Sequence, residues 1–378
     1  MTIVTSDRRE RILASPLRHA DPLLFGAPIV LSVIGLLMIY SSTHRVLAQE
    51  NLDPLFFVKR QGIAIGVGVL VMVLLTVIDY RRLRELALLG YGLTVLTLLA
   101  VLKFGVEVNA ARARFDIGSF QLQPAEIAKL FLTLVLAGYC ARHRDQLSAR
   151  ALIVALALCA VPMALIMLQP DLGTNLVLMA MAFTVLMIAG VQGRHLVVLL
   201  LVGLTFAVVA VEAGVLDQYQ IDRLVSFVDS GSDAEESGYN QDQSQIAIGN
   251  GGFTGQGLFE GSQTNSAYVP EQHTDFIFTV VGEELGFVGG ALVLGLFGVI
   301  VWRTLRAARL AYDPFGALCC MGVLAMFVAQ VFENVGMAVG IMPITGIPLP
   351  FMSYGGSSII VSFACIGLVA NVRMRRFS

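Results

Sequence analysis

Residues 270–278 read Pro-Glu-Gln-His-Thr-Asp-Phe-Ile-Phe and place three ionisable side chains directly before an apolar run. Glu271, His273 and Asp275 are residue types that transfer protons as general acids and bases. Partial desolvation favours the neutral form of a carboxyl group and so makes it a better base. The same residues also fit the start of a helix, with Thr274 as its cap and Asp275 in its first turn. Both interpretations of Asp275 are open from the residues alone.

Four further ionisable residues stand within apolar sequence, where a charge is costly and usually functional. Glu126 and Lys129 are three positions apart, so a helix places them on one face, where they can pair. The pair either fixes one helix against its neighbours or presents Lys129 to an anionic substrate. Glu283 returns to the face of Asp275 about two turns further on, with Glu284 beside it.

Two other segments have residue patterns typical of turns. Asp171 follows a proline and precedes a Leu-Gly pair, which fits ordinary turn and cap chemistry. The glycine-rich run at 248–257 superficially resembles a phosphate-binding loop. A nucleotide site requires a strand before such a loop and a helix after it, and the sequence predicts no such unit. We therefore interpret these glycines as permitting tight backbone turns.

The composition predicts a polytopic membrane protein. The chain has 378 residues, of which 56% are hydrophobic and only 14% are charged. A soluble domain carries about a quarter charged residues. The net charge of −2 predicts no attraction to nucleic acid. The five cysteines all lie in apolar runs without metal-ligand spacing, so we expect them to be packing residues.

Hydropathy predicts an all-α membrane protein with about ten transmembrane helices, because a bilayer core requires about 20 apolar residues per helix. The predicted spans are 23–42, 61–78, 85–104, 125–141, 150–169, 173–192, 195–215, 275–302, 313–341 and 352–372.

The positive-inside rule predicts that both termini are cytoplasmic. Seventeen Lys and Arg residues fall on the side of the termini and seven on the other side. The predicted organisation is a tail at 1–22, one membrane domain at 23–372 and a tail at 373–378. The long loop at 216–273 between the seventh and eighth spans is then extracytoplasmic. It is acidic, with Arg223 as its one basic residue.

The ordered set of motifs resembles the SEDS family (shape, elongation, division and sporulation) of membrane glycosyltransferases, from about residue 21 to 376. The motifs are FVKRQ (57–61), IDYRRL (78–83), NAARARFDIGSFQLQPAEIAK (109–129), QPDLGT (169–174), YQIDR (219–223), SQIAIGNGGFTGQG (244–257), YVPEQHTDFIFTVVGEELG (268–286), NVGM (334–337) and MPITGIPLPFMSYGGSS (342–358).

Within this family the sequence is most similar to the elongation branch, RodA. Residues 344–348, Ile-Thr-Gly-Ile-Pro, fit that branch, whereas the division branch, FtsW, tends to carry a Lys before this Gly. The sequence departs from the family at Ala110 and Arg114, where the family favours Gly and Trp. An aromatic contact at Arg114 is therefore not expected.

The resemblance implies a glycosyltransferase that polymerises glycan strands from lipid II on the outer face of the bacterial cytoplasmic membrane. In this inverting reaction a GlcNAc 4-hydroxyl attacks the anomeric carbon of MurNAc, and undecaprenyl pyrophosphate leaves. The family's catalytic Asp matches Asp275, which we therefore expect to be the base.

The departing diphosphate requires positive charge. We expect it to bind Arg60, Lys129 and Arg223, with help from Arg112, and a bridging divalent cation (Mg²⁺ or Mn²⁺) is a further option. The remaining expected substrate contacts are Glu126, Asp171, Glu271, His273 and Ser353.

The resemblance also implies partners. These are lipid II, a class B penicillin-binding protein transpeptidase and other membrane proteins of the elongation complex, with no nucleic acid. We expect the transpeptidase to dock on the eighth and ninth spans. Three other functions stay open: a lipid II flippase or transporter, a polymerase of the division branch (FtsW-like), and a scaffold that recruits a partner.

Overall fold

The computed structural model describes residues 21–108, 111–118, 120–143, 148–199, 201, 203, 237–266 and 268–377. Residues 1–20 of the predicted tail, most of the seventh span and Arg223 lie outside these residues.

The described chain is a bundle of α-helices. In chain order these are α1 Pro22–Gln49, α2 Phe56–Val77, α3 Tyr80–Phe104, α4 Pro124–Arg142, α5 Ala149–Met167, α6 Leu172–Ile188, α7 Ser237–Gly251, α8 Ser262–Asn265, α9 Ile277–Arg309, α10 Pro314–Ala338 and α11 Gly356–Met374. Eight of them are long and apolar enough to cross a membrane, namely all but α6, α7 and α8. The polytopic helical membrane fold is thus confirmed.

The predicted spans correspond to these helices with three differences. The sixth span is a helix of only 17 residues, α6. Residues 193–199 are helical and begin the seventh span. The described part of the predicted long loop is not continuous coil, because it contains α7 and α8. This loop is polar and lacks the apolar periodicity by which helices are recognised in sequence.

Acidic and hydroxyl side chains fix the starts of five helices. Asp21, Asp79, Ser148, Asp171 and Asp313 each accept a hydrogen bond from a backbone N–H in the first turn of the following helix. Such caps satisfy N–H groups that have no partner within the helix.

A small antiparallel sheet joins α3 to α4. Its strands are β1 Val106–Val108, β2 Ala111–Ile117 and β3 Phe120–Leu122, in the order β1-β2-β3. Ser357 on α11 holds β3 in place, since its Oγ donates to the carbonyl of Gln121 and accepts from the N–H of Gln123. The sequence of β2 alternates strictly between apolar and polar residues, which is a usable strand signal that the sequence-based prediction did not use. β1 and β3 have only three residues each and are too short to be predicted in this way.

The glycine-rich run packs against an interruption in α9. Gly286 has φ 64° and ψ −162°, which breaks the helix. The N–H groups of Gln256 and Gly257 donate to the carbonyls of Glu283 and Glu284, and the N–H of Phe287 donates to the carbonyl of Gly252. The loop thus replaces helical hydrogen bonds that the break removes. Glycines 252, 255 and 257 have positive φ, which confirms the predicted tight turns.

An ion-pair cluster joins three helix ends at one end of the bundle. Asp21, the cap of α1, accepts two hydrogen bonds of 2.6 Å from Arg303 at the end of α9 and pairs with Arg373 near the end of α11. Burial alone would raise the pKa of Asp21, but the hydrogen bond from Arg303 and the charges of both arginines outweigh it and lower that pKa. We call this the Asp21 end of the bundle; Asp275 lies at the opposite end.

Candidate active site

Asp275 lies in a turn that precedes α9. The helix begins at Ile277, with Phe276 as its N-cap. The prediction that Thr274 caps this helix is therefore wrong. Thr274 Oγ1 instead donates to the carbonyl oxygen of Glu271 at 3.1 Å and to Glu271 Oε2 at 2.8 Å. Both acceptors belong to Glu271, so the Thr274 hydroxyl is oriented toward the preceding turn.

The carbonyl of Glu271 organises this turn. It accepts hydrogen bonds from the N–H groups of Thr274, Asp275 and Phe276 at 3.2, 3.0 and 3.2 Å. Glu271 itself adopts φ 52°, a conformation that is uncommon for a residue other than glycine. The backbone on the N-terminal side of Asp275 is thus fixed by a tight, locally strained turn.

Asn334 on α10 fixes the other side of Asp275. Its Nδ2 donates to the carbonyl oxygen of Asp275 at 2.7 Å and to the carbonyl oxygen of Ile347 at 2.8 Å. The side chain is fully buried. Asn334 therefore joins the Asp275 turn to the segment between α10 and α11. Asn334 was not predicted as a site residue, although an amide within an apolar span is a usable signal.

His273 packs in an aromatic cluster beside Asp275. Its ring centroid lies 4.7 Å from that of Phe57 and 5.6 Å from that of Tyr354. The carbonyl oxygen of His273 accepts from the N–H of Tyr354 at 2.8 Å. Burial lowers the pKa of His273, and the negative charge of Glu271 opposes this only in part. The neutral imidazole is thus favoured at pH 7.

Glu126 and Lys129 form the predicted ion pair on α4. Lys129 Nζ donates to Glu126 Oε1 at 2.7 Å, and the residues are only 1% and 2% exposed, respectively. This geometry favours the interpretation in which the pair fixes α4 within the bundle, because the charge of Lys129 is already neutralised.

Glu333 on α10 extends this polar cluster and was missed in the sequence analysis. It is 5% exposed and interacts electrostatically with Lys129 and Asp171. Its Oε2 has no hydrogen-bond partner among the described residues. The cluster connects α4, α6 and α10 in the interior of the bundle.

Glu283 and Glu284 have structural partners. Glu283 accepts hydrogen bonds from the N–H groups of Gln263 and Thr264 at 2.7 and 2.9 Å, and so caps α8. Glu284 accepts from the hydroxyl of Ser41 on α1. Both carboxylates therefore anchor the first part of α9 to neighbouring elements.

Asp171 and Ser353 also hold local structure. Asp171 accepts from Thr174 N at 2.9 Å and from Thr174 Oγ1 at 2.8 Å, as cap chemistry predicts. Ser353 is 1% exposed, and its Oγ accepts from Leu349 N at 2.8 Å. Its carbonyl oxygen accepts from Gln61 on α2. Ser353 lies immediately before Tyr354, which contacts His273.

The expected cationic contacts lie on different elements. Arg60 is on α2, with its guanidinium 4.2 Å from the ring centroid of Phe56. Arg112 is exposed on β2, opposite Glu107 of β1. Arg223 lies outside the described residues. In the part of the chain that the structure describes, no three His, Cys, Asp or Glu side chains converge in a geometry suited to a metal ion.

Comparison with solved structures supports this fold. The chain has a TM-score of 0.71 and 32% identity to Thermus thermophilus rod shape determining protein RodA, over 95% of this chain and 98% of that one. It has a TM-score of 0.80 and 34% identity to a chain from a study of a peptidoglycan synthase complex that polymerises and crosslinks, over 95% and 99%.

Sequence comparison gives the same result. The chain is 34% identical to peptidoglycan glycosyltransferase MrdB of Escherichia coli K12 over 363 residues, which cover 95% of this chain and 94% of that protein. The family model for FtsW, RodA and SpoVE, described as "Cell cycle protein", matches residues 22–377. The chain therefore belongs to the FtsW/RodA/SpoVE family, the SEDS family.

Proposed function

We propose that this protein is a peptidoglycan glycosyltransferase that polymerises glycan strands from lipid II. The observation that carries the proposal is the placement of Asp275 in a member of this family. Its backbone N–H is held by Glu271 and its carbonyl by Asn334. A carboxylate held on both sides of its backbone suits a base that must meet a substrate hydroxyl in a defined geometry.

In the proposed reaction, Asp275 takes the proton from the 4-hydroxyl of a GlcNAc unit. The oxygen of that hydroxyl attacks the anomeric carbon of MurNAc and forms the new glycosidic bond. The bond between that carbon and the diphosphate oxygen breaks on the opposite face, and undecaprenyl pyrophosphate leaves with the electron pair. The configuration at the anomeric carbon inverts. A positioned base contributes about 10²- to 10⁴-fold to such a step.

The proposed contacts for the leaving diphosphate are Arg60, Arg112 and Arg223. Lys129 was expected to join them, but its bond to Glu126 supports a structural role instead. A divalent cation that bridges the diphosphate to acidic side chains stays an expectation, which polymerisation with and without a chelator tests.

We further propose that the protein acts in cell elongation with a class B penicillin-binding protein. The elongation role rests on residues 344–348 and on the likeness to a rod shape determining protein. The partner rests on the likeness to a chain of a complex that both polymerises and crosslinks. We place the Asp275 end on the outer face of the cytoplasmic membrane and both termini in the cytoplasm, as the distribution of basic residues favours.

The decisive experiment compares wild type with Asp275→Asn and Asp275→Ala in detergent, with labelled lipid II as substrate and polymer length as the readout. We expect both variants to lose polymerisation by about 10²-fold or more. Thermal unfolding of each variant serves as the folding control.

The alternative transporter function gives a different result. If a folded Asp275→Ala protein makes polymer at the wild-type rate, Asp275 is not the base. If wild type makes no polymer but moves lipid II across a vesicle membrane, and a folded Asp275→Ala protein no longer does so, the enzyme proposal is wrong and the flippase is supported.

A further inference from the structure

A cleft of about 530 Å³ opens directly beside the Asp275 turn. It lies between the end of α1, the start of α2 and residues 269–273. We call it the Gln272 cleft. Its lining includes Val46, Glu50, Asp53, Phe57, Glu271 and Gln272. It was not foreseen from the sequence, and none of the proposed diphosphate contacts lines it.

Gln272 lines the cleft, and its side-chain amide lacks hydrogen-bond partners within the described chain. The residue is only 4% exposed. Neither its Oε1 nor its Nε2 has a hydrogen-bond partner among the described residues. A buried amide without partners is uncommon in native proteins and requires an explanation such as a bound water or ligand. A ligand group that complements the Gln272 amide must offer both a hydrogen-bond donor and an acceptor, as another amide does.

The remaining lining residues narrow the chemical class of the ligand. Phe57 presents an aromatic ring, and Val46 adds apolar surface. Glu50, Asp53 and Glu271 contribute carboxyl groups, of which Asp53 is paired with Lys59 at 2.5 Å. Carboxylates accept hydrogen bonds from hydroxyl groups but repel a diphosphate. An isoprenoid chain would leave the Gln272 amide unsatisfied.

These features fit a neutral sugar that carries an acetamido group. We propose that the Gln272 cleft binds the N-acetylated hexosamine at the attacking end of the acceptor strand, with its acetamido group against Gln272. This inference rests on the proposed function. In the donor, the diphosphate is bonded to the reacting carbon. In the acceptor, a further sugar lies between the diphosphate and the attacking hydroxyl. The attacking sugar of the acceptor therefore suits a cleft that is lined in part by carboxylates.

The test is saturation-transfer NMR on the full-length protein in detergent, with chitotetraose as the probe and cellotetraose, which lacks acetamido groups, as the control sugar. We expect saturation of the chitotetraose acetamido methyl signals and at least fivefold less for cellotetraose. Gln272→Ala removes the amide, and Val46→Trp fills the cleft without removing a polar contact. Both variants reduce the chitotetraose signal at least fivefold.

Ala48→Trp is the matched control, because Ala48 is exposed on the same helix and does not line the cleft. It leaves the signal unchanged. Asp275→Asn retains chitotetraose binding while it loses polymerisation. If Gln272→Ala fails to fold, the chitotetraose signal of Val46→Trp tests the assignment of the cleft.

The result that overturns the cleft assignment is a wild-type protein that polymerises lipid II but gives no chitotetraose signal, an equal signal for cellotetraose, or a signal that Val46→Trp leaves intact. Variant-dependent chitotetraose binding by a protein that makes no polymer supports the cleft and refutes the proposed function. The two failures are thus distinguishable.

Discussion

At the residue scale, Asn334 is the side chain whose loss bears most directly on the geometry of Asp275. Its amide holds two carbonyl oxygens, one on the Asp275 turn and one on the segment before α11. A carboxylate in the same place would donate to neither oxygen. Breaking buried hydrogen bonds of this kind costs about 1–3 kcal/mol.

We therefore expect Asn334→Asp and Asn334→Ala to lower kcat for polymerisation about tenfold or more while KM for lipid II changes less. Gln330→Leu is a matched control one turn earlier on α10, because the buried Gln330 amide has no hydrogen-bond partner among the described residues. An equal loss of kcat in Gln330→Leu would contradict a specific role for Asn334.

His273 makes a pH-dependent contribution at the same scale. The ordinary pKa of histidine is about 6.5, and burial lowers the pKa of His273 in the folded protein. The unfolded chain therefore binds the proton more tightly, and stability rises with pH in this range. The stability that the neutral His273 allows is fully present above pH 6.5, and it is lost as the pH falls through 6.5 toward the lower pKa of the folded protein.

We expect wild type to lose more thermal stability between pH 8 and pH 5.5 than His273→Gln does. Unfolding temperatures of both proteins at the two values measure the difference. Identical losses would mean that protonation of His273 does not oppose folding.

At the element scale, α7 and α9 meet through a glycine that admits no side chain. A Cβ atom on Gly251 would lie 1.9 Å from the carbonyl oxygen of Gly282. Gly249 is two residues earlier on the same helix, and a Cβ there meets no atom within 4 Å. The two glycines thus separate the effect of close packing from the effect of helix propensity.

We expect Gly251→Ala to lower the unfolding temperature, because backbone atoms would have to move apart. Gly249→Ala should be neutral or stabilising, since alanine favours a helix over glycine by about 1 kcal/mol. Thermal unfolding of the two variants side by side is the measurement. Equal unfolding temperatures would show that α7 does not pack on α9 in this way.

The same scale separates what sequence can predict from what it cannot. Local rules foresaw the Glu126–Lys129 pair and the Asp171 cap, because both depend on spacing along one chain segment. Other contacts join residues that are distant in sequence. Glu283 caps α8 by accepting from Thr264, 19 positions away, and Asn334 donates to the carbonyl of Asp275, 59 positions away. Hydropathy located the spans but not the break at Gly286, where hydrogen bonds from a distant loop replace those of the helix.

At the scale of the whole molecule, the ion pairs of Asp21 with Arg303 and Arg373, which we call the Asp21 cluster, join the first and last helices of the described chain to α9. The Asp21 side chain is fully buried and pairs with two arginines. Removing its charge leaves the arginines without a counter-ion in a region that excludes water, which is strongly destabilising.

We expect Asp21→Asn to lower the unfolding temperature by several degrees. Asp53→Asn is the control, because the Asp53–Lys59 pair is exposed and such pairs contribute little to stability. A variant at Asp21 as stable as the one at Asp53 would show that the cluster does not hold the helix ends together.

The interruption of α9 also bears on the depth in the membrane at which the proposed reaction takes place. An unbroken helix of 33 residues would be about 50 Å long, far more than the hydrocarbon thickness of about 30 Å. The part from Phe287 to Arg309 is about 35 Å long and spans that thickness by itself. The turns from Ile277 to Leu285 then rise to the level of the lipid headgroups. In the proposed reaction, this places Asp275 outside the hydrocarbon, in the layer in which the diphosphate of a lipid-linked sugar lies.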